Sequence, residues 1–253
     1  MGYTFYGDIL GMSNYYKLDK NIAYKKLNDF YNTTFYTLEG YCIKRGKVVQ
    51  VEMYSDSLVI WGNESEKILE ELSKVYLELF QKGLMLRGAL VKGKLEIEPR
   101  LTLDNFKKNL PKDDNLARAV GLANSYKGSR LLIENDLAMT LLSSCRDWLT
   151  QEGYLRNIIP TIPLNNILRK ICPTPDNSAY ELLYFWSNSD FSNISNRGYL
   201  TDLREIDQLS EMFSKEIAAH YKETSFLLKR CRSRHKYTNS LMCGHTSDLK
   251  NDM

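Results

Sequence analysis

The spacing of apolar positions changes period several times over the first 136 residues. Residues 2–10 (GYTFYGDIL) are rich in aromatic and β-branched types and have no helical period, which predicts a strand. From Asn21 to Lys44 apolar residues recur at Ala23, Leu27, Phe30, Tyr31, Thr34, Leu38, Tyr41 and Cys42, the spacing of one helix face, and Arg45-Gly46 stops it. KVVQVEMY (47–54) and SLVIWG (57–62) read as two strands joined by a short Ser-Asp turn. A second amphipathic helix over 65–82 turns Ile68, Leu69, Leu72, Val75, Tyr76 and Leu79 inward and ends at Gly83. LMLRGALVKG (84–93) is a fourth strand.

Beyond Gly93 the pattern is less regular. Residues 94–114 read as a loop with Pro99 and Pro111. A short helix over 115–127, a strand SRLLIE (129–134) and a helix over 136–152 follow. Pro160, Pro163, Pro173 and Pro175 mark an irregular stretch before a strand at 180–186. A further amphipathic helix covers 201–230, and the last 20 or so residues read as a frayed end.

The order β-α-β-β-α-β predicts an α+β fold with a ferredoxin-like core and additional C-terminal helices and a strand. We place the core at 1–136 and an extension packed on it at 137–253. In that topology the crossover returns the second strand parallel to the first, and the hairpin sends the third strand back beside it. The end of the first strand and the tip of the hairpin then share one edge of the sheet. Asp8 and Asp56, far apart in sequence, become neighbours. Period 2 also puts Glu52, Tyr54 and Asp56 on one side.

An acid at a hairpin tip is ordinary turn chemistry, because Ser and Asp bond their own backbone. Two carboxylates a few ångströms apart are different: they repel unless neutralised, or one takes up a proton. Divalent Mg²⁺ or Mn²⁺ is a common neutraliser, and it brings phosphate oxygens with it. The segment Ile9-Leu10-Gly11-Met12-Ser13 offers backbone N–H groups to a triphosphate, and Gly11 permits close approach.

Composition narrows the classes. The chain is 43% hydrophobic and 26% charged, ordinary for a globular protein, and its formal charge of +3 implies no polyelectrolyte partner. Five scattered cysteines and no leader-like stretch at Met1–Tyr6 predict reduced thiols and a cytoplasmic location. No apolar run approaches the roughly 18 residues of a membrane span. KRCRSRHK (229–236) has too few aromatic neighbours for a nucleic-acid platform, and the nearby Cys231, His235, Cys243 and His245 match no ordinary zinc finger. A Gly-x₄-Gly-Lys-Ser/Thr loop is absent.

Four segments resemble class III nucleotidyl cyclases. FYGDILGMS (5–13) is similar to that family's first metal motif, and VEMYSDSLVIWG (51–62) to its second. LRGALVKGKLE (86–96) and LARAVGLANSYKGSRLLIEND (116–136) resemble the strand and the helix–strand that follow. The resemblance implies two Mn²⁺ or Mg²⁺ ions held by Asp8, Asp56 and the carbonyl of Ile9, and cyclisation of a nucleoside triphosphate with release of pyrophosphate. It places Leu10, Gly11 and Met12 against the triphosphate.

It also implies a homodimer with shared active sites; Arg87, on the fourth strand and within reach of the phosphates or base, is a further catalytic candidate. In the family, base choice depends on the strand before the second aspartate, here Glu52 and Tyr54. The Tyr-Ser-Asp run looks like the Pycsar antiphage cyclases, which make cyclic UMP or cyclic CMP for a separate effector, whereas Glu52 suits guanine. The family's later helix carries an Asn and an Arg that stabilise the transition state; here Ala117 and Gly121 occupy those places, beside Arg118. That departure keeps a catalytically silent nucleotide- or partner-binding domain open as an alternative.

Overall fold

The computed structural model describes residues 1–99, 109–144, 168–170, 179–182, 206 and 218–226. Strand β1 (Gly2–Ile9) leads through a short helix α1 (Met12–Leu18) to the long helix α2 (Lys20–Arg45). The hairpin β2 (Val49–Tyr54) and β3 (Ser57–Asn63) follows, then α3 (Ser65–Gln81) and β4 (Leu86–Lys92). After these come β5 (Ile97–Pro99), β6 (Asn109–Pro111), α4 (Asn115–Ser125), β7 (Leu131–Glu134), α5 (Asn135–Ser144), β8 (Leu168–Lys170) and β9 (Ala179–Leu182).

The main sheet runs β2-β3-β1-β4-β7-β9-β8. β1 is antiparallel to both β3 and β4, and β2 is antiparallel to β3. The first four strands therefore have the ferredoxin-like order, and the architecture is α+β. β7 joins β4 in parallel, and β9 and β8 extend the same sheet.

Register sorts the side chains onto two faces. Tyr3, Phe5 and Ile9 of β1, Leu58 and Ile60 of β3, and Leu86 and Leu90 of β4 are buried in one core with α2 and α3. The inward positions expected of α3 are all buried, from Ile68 to Leu79. The opposite face carries Tyr6 and Asp8, Ser57 and Val59, and Arg87 and Ala89. α4 covers part of it, where Ala123 packs with Ala89 and Leu132 beside Tyr6. Glu52 and Tyr54 on edge strand β2 stay exposed.

Two local features differ from the sequence reading. α1 interrupts the approach to α2: Gly11 enters it at φ 82°, and extended Asp19 separates the helices and accepts a hydrogen bond from the Asn21 N–H at 2.6 Å. A pattern search for apolar period does not register a seven-residue helix. The expected loop at 94–114 contains the small ladder β5–β6, in which Ile97 pairs with Pro111. The expected ends of the helix at 136–152 and the strand at 180–186 lie outside the described residues, as does most of the helix at 201–230.

Candidate active site

The site forms where β1 ends. Asp8 lies opposite Ser57 of β3 on one side and opposite Arg87 of β4 on the other. The hairpin turn brings the second acid to the same point: the Ile9 N–H donates to the Asp56 carbonyl at 2.9 Å. The strain of a tight two-residue turn falls on Ser55, whose φ is 53°. Because the Tyr54–Ser57 pair closes the ladder, Asp56 belongs to the turn and not to the strand. Period 2 therefore extends from Glu52 to Tyr54 and stops, and Ser57 is the residue that shares Asp8's register.

Arg87 supplies the neutralising charge for Asp8. Its Nε donates to Oδ1 at 3.1 Å and its Nη2 to Oδ2 at 2.8 Å, a bidentate fork with both side chains largely buried. Among the described residues no cation pairs with Asp56. The site thus holds one acid paired through its side chain and a second whose main chain is bonded to the residue that follows the first. Tyr6 reaches along the sheet, its hydroxyl 3.3 Å from Ser57 Oγ.

The backbone under this pair is set by two glycines. Gly7 and Gly88 face each other across β1 and β4, and the Phe5 ring lies against both. A Cβ on Gly88 would sit 2.6 Å from that ring and 2.7 Å from the Tyr6 carbonyl oxygen. The strands approach closely because neither residue has a side chain there.

The segment after Asp8 is only partly open. The Leu10 N–H donates to the Met85 carbonyl at 2.8 Å, and the side chains of Leu10 and Met12 are buried in the core. Gly11 is half-buried in the turn, with left-handed backbone. Glu52 is exposed, and Tyr54 is 85% exposed at the end of β2. The structure thus groups Asp8, Ile9, Asp56 and Arg87 tightly, with Gly11 beyond the strand end and Tyr54 and Glu52 along the open face.

Arg118 does not belong to this group. It donates to the Lys92 carbonyl at 2.8 Å and pairs with Asp114 at 3.1 Å and with Glu134. Lys92 pairs with Tyr3, five positions before Asp8, so this hub lies about 16 Å along the strand from the acids. Ala117 and Gly121 are exposed on α4, and no atom comes within 4 Å of a Cβ placed on Gly121.

Residues 218–226, by contrast, bring side chains that sequence reasoning missed. His220 Nδ1 accepts the Gly128 N–H at 3.1 Å. Burial, with the Arg87 and Lys127 cations, lowers its pKa, and Asp8 opposes them. Tyr221 lies against Gly11: its hydroxyl would be 3.0 Å from a Cβ there. No local pattern links Gly128 to His220, 92 residues on, or Gly11 to Tyr221, more than 200 residues on, so only packing could reveal these contacts.

The donor set suits a hard divalent cation: two carboxylates, with the Ile9 carbonyl beside them. Among the described residues no group of three or more His, Cys, Asp or Glu side chains could hold a metal alone. Oxygens from a phosphorylated ligand would have to complete the shell, and Asp8 would have to exchange Arg87 for the ion.

What fold and site define together is an α+β domain with an acid pair at one sheet edge. Its shape is similar to that of solved nucleotidyl cyclases. The adenylyl cyclase CyaB from P. aeruginosa is 12% identical over 72% of this chain and 92% of its own, with a TM-score of 0.45. Adenylate cyclases from Trypanosoma brucei give 11% identity, 72% and 89% coverage and a TM-score of 0.49. The guanylate cyclase domain of RhGC from Catenaria anguillulae, solved with GTP, gives 10%, 72% and 94%, and 0.45. No family model matches the chain, and no curated protein matches it. At such identity no residue role passes from those structures to this one. Among the described residues no helix is long and apolar enough to cross a membrane.

Proposed function

We propose that this protein is a metal-dependent nucleotidyl cyclase acting on a pyrimidine nucleoside triphosphate. The observation that carries the reading is the placement of Asp8 and Asp56 at one sheet edge, joined through the Ile9 N–H and the Asp56 carbonyl. The motif resemblance described above supplies the reaction class. In it the ribose 3′-oxygen attacks the α-phosphorus and the bond to the β-phosphate oxygen breaks. Pyrophosphate leaves, and the 3′-hydroxyl gives up its proton.

Asp8, Asp56 and the Ile9 carbonyl would hold Mn²⁺ or Mg²⁺, two ions by the family pattern. Bound there, such ions supply charge neutralisation for the phosphates and acidify the attacking hydroxyl. Arg87, released from Asp8 on loading, is placed to bind phosphate oxygens with the same fork. The turn at Gly11 would face the triphosphate with its main chain, that of Leu10 and Met12 on either side, while its Cβ direction is taken by Tyr221. Tyr54 narrows the open face against a purine, and Glu52 stands next to it on that face. A homodimer sharing its two sites would cover this exposed face and add groups from the second copy. By the same resemblance the product is cyclic UMP or cyclic CMP, a second messenger of antiphage defence read by a separate effector.

The test is incubation of purified protein with each of the four nucleoside triphosphates and Mn²⁺, with products identified by mass spectrometry. Cyclic UMP or cyclic CMP is the expected product. Cyclic GMP would transfer base selection from Tyr54 to Glu52. A second reading, a silent nucleotide-binding domain, draws on Arg87 filling both oxygens of Asp8 and on the bare positions at Ala117 and Gly121. Folded, dimeric protein that makes no product would favour it.

A further inference from the structure

Strand β2 ends the main sheet, with β3 on one side and no strand on the other among the described residues. Tyr54 and Ser57 close a two-residue hairpin, so they exchange main-chain bonds, as do the alternate pairs Glu52–Val59 and Gln50–Trp61. Val49, Val51 and Met53 therefore turn their N–H and C=O groups outward, and among the described residues no main-chain bond engages them there. Natural sheets guard such an edge with lysine, proline or a bulge. Val49–Tyr54 has none of these: its pairing to β3 is unbroken, and its single charge, Glu52, stands on the sheet face.

The helix layer is bare on the same flank. α2 is the crossover from β1 to β2 and α3 the crossover from β3 to β4, which puts α2 over the β2 side of the sheet and α3 over the β4 side. Lys26 marks the side of α2 that meets α3, because its Nζ donates to the Lys82 carbonyl, just past the end of α3, at 3.0 Å. Tyr24 lies about 200° round the helix from Lys26, and Tyr31 and Phe35 continue its stripe at helical spacing. These rings are 72%, 37% and 57% exposed.

We propose that the β2 edge and this stripe of α2 form one interface for a second copy of the chain, in which the two β2 strands pair antiparallel about Val51. A two-fold that pairs two strand edges stands perpendicular to the sheet, so both helix layers fall on one side and α2 packs against its copy. The residues select the register. About Val51, Val49 meets Met53 of the second copy, and each Glu52 stands beside Gln50 of the second copy. A shift one way sets Glu52 against Glu52, and a shift the other way spends Met53 on Lys47, in the 3-10 turn before the strand. The rings of both copies would cover on the order of 600 Å², which with the paired strands reaches the roughly 1,000 Å² of a specific interface. Both acid-bearing faces stay uncovered, so this interface is distinct from a site-sharing one and does not depend on the cyclase reading.

The test uses the full chain. Sedimentation velocity gives the association midpoint, and amide exchange followed residue by residue by NMR above and below it reads the edge directly. The amides of Val49, Val51 and Met53 should be protected in the associated protein and exchange about tenfold faster on dilution, as their bonds to the second copy are lost. Gln50→Glu sets acids against each other across the two-fold and should weaken association about tenfold. Gln50→Glu combined with Glu52→Gln restores the cross-strand pair and should recover it. The Gln50 amide also bonds its own Lys47 carbonyl at 3.3 Å; both variants lose that bond, so the recovery isolates the contact between copies. Phe35→Glu, in the helix layer and away from the strand, should weaken association as well.

A monomeric wild type overturns the proposal, as does associated protein in which those amides exchange freely. Unchanged association in Gln50→Glu, or no recovery in the double variant, overturns the register about Val51. Unchanged association in Phe35→Glu removes α2 from the interface. Product formation by protein with a freely exchanging edge leaves the cyclase reading standing and defeats this one; a protected edge in protein that makes no product does the reverse.

Discussion

Arg87 grips both carboxylate oxygens of Asp8 from the directly opposite position on the neighbouring strand. The acid that motif and topology single out as a metal ligand is therefore already neutralised by a residue of its own sheet. Loading a cation there would be an exchange of partners.

That exchange predicts how Arg87→Ala should behave. Removing the guanidinium leaves a largely buried carboxylate unpaired, which should cost about 1–3 kcal/mol of stability in urea unfolding. Mn²⁺ should then raise the melting temperature of Arg87→Ala more than that of wild type, because it meets no competitor at Asp8. Equal shifts in the two proteins would argue that the ion does not bind at Asp8.

No cation pairs with the Asp56 carboxylate among the described residues, and its main-chain bond to Ile9 survives side-chain truncation, so its loss should separate folding from function. Asp56→Ala should unfold within about 0.5 kcal/mol of wild type and keep the native oligomeric state. Product formation should vanish, as it should in Asp8→Ala. Near-normal activity of Asp56→Ala would remove the acid pair from the mechanism.

Tyr54, 85% exposed, contributes little to the folded core. Tyr54→Ala should leave the melting temperature within experimental scatter and loosen discrimination among the four nucleoside triphosphates. Competition assays with mixed substrates measure this directly, and an unaltered preference would assign base choice elsewhere.

Gly88→Ala tests the floor beneath the ion pair. The added methyl meets the Phe5 ring and the Tyr6 carbonyl well inside contact distance, which should cost about 1–3 kcal/mol. Phe5→Leu should recover part of the loss in the double variant. Additive penalties would show that the clash is relieved in some other way.

His220 predicts a pH dependence for the stability of the fold. Its folded pKa lies below its ordinary value, through burial and the nearby Arg87 and Lys127. Between the two values the unfolded chain binds more protons, so stability falls with falling pH in that window. The contribution is complete above about 6.5, the unperturbed value, and is lost as pH falls through the folded pKa. Melting curves against pH should show this loss in wild type and a shallower one in His220→Asn, in which the amide oxygen can still accept the Gly128 N–H.

The core was legible in the amino-acid pattern because its strands and helices are sorted by period. Tyr3, Phe5 and Ile9 alternate with Tyr6 and Asp8, and α3 shows one apolar face, so element order and the αβ class follow from local rules. α1 was not legible, since one left-handed glycine and one extended aspartate define it rather than any repeat. Asp8 and Asp56 could be paired from topology alone, because a hairpin returning beside β1 must bring its tip to the end of that strand.

Side-chain partnership was decided by the tertiary structure. Nothing in the sequence says that Arg87 spends its charge on Asp8, that Arg118 is tied up at the far end of the sheet, or that Tyr221 closes on Gly11. Alternation and helical period are properties of neighbours along the chain and can be read from it. An ion pair between strands, and a helix laid across a sheet edge from more than 200 residues away, depend on register and packing, which exist only once the chain has folded.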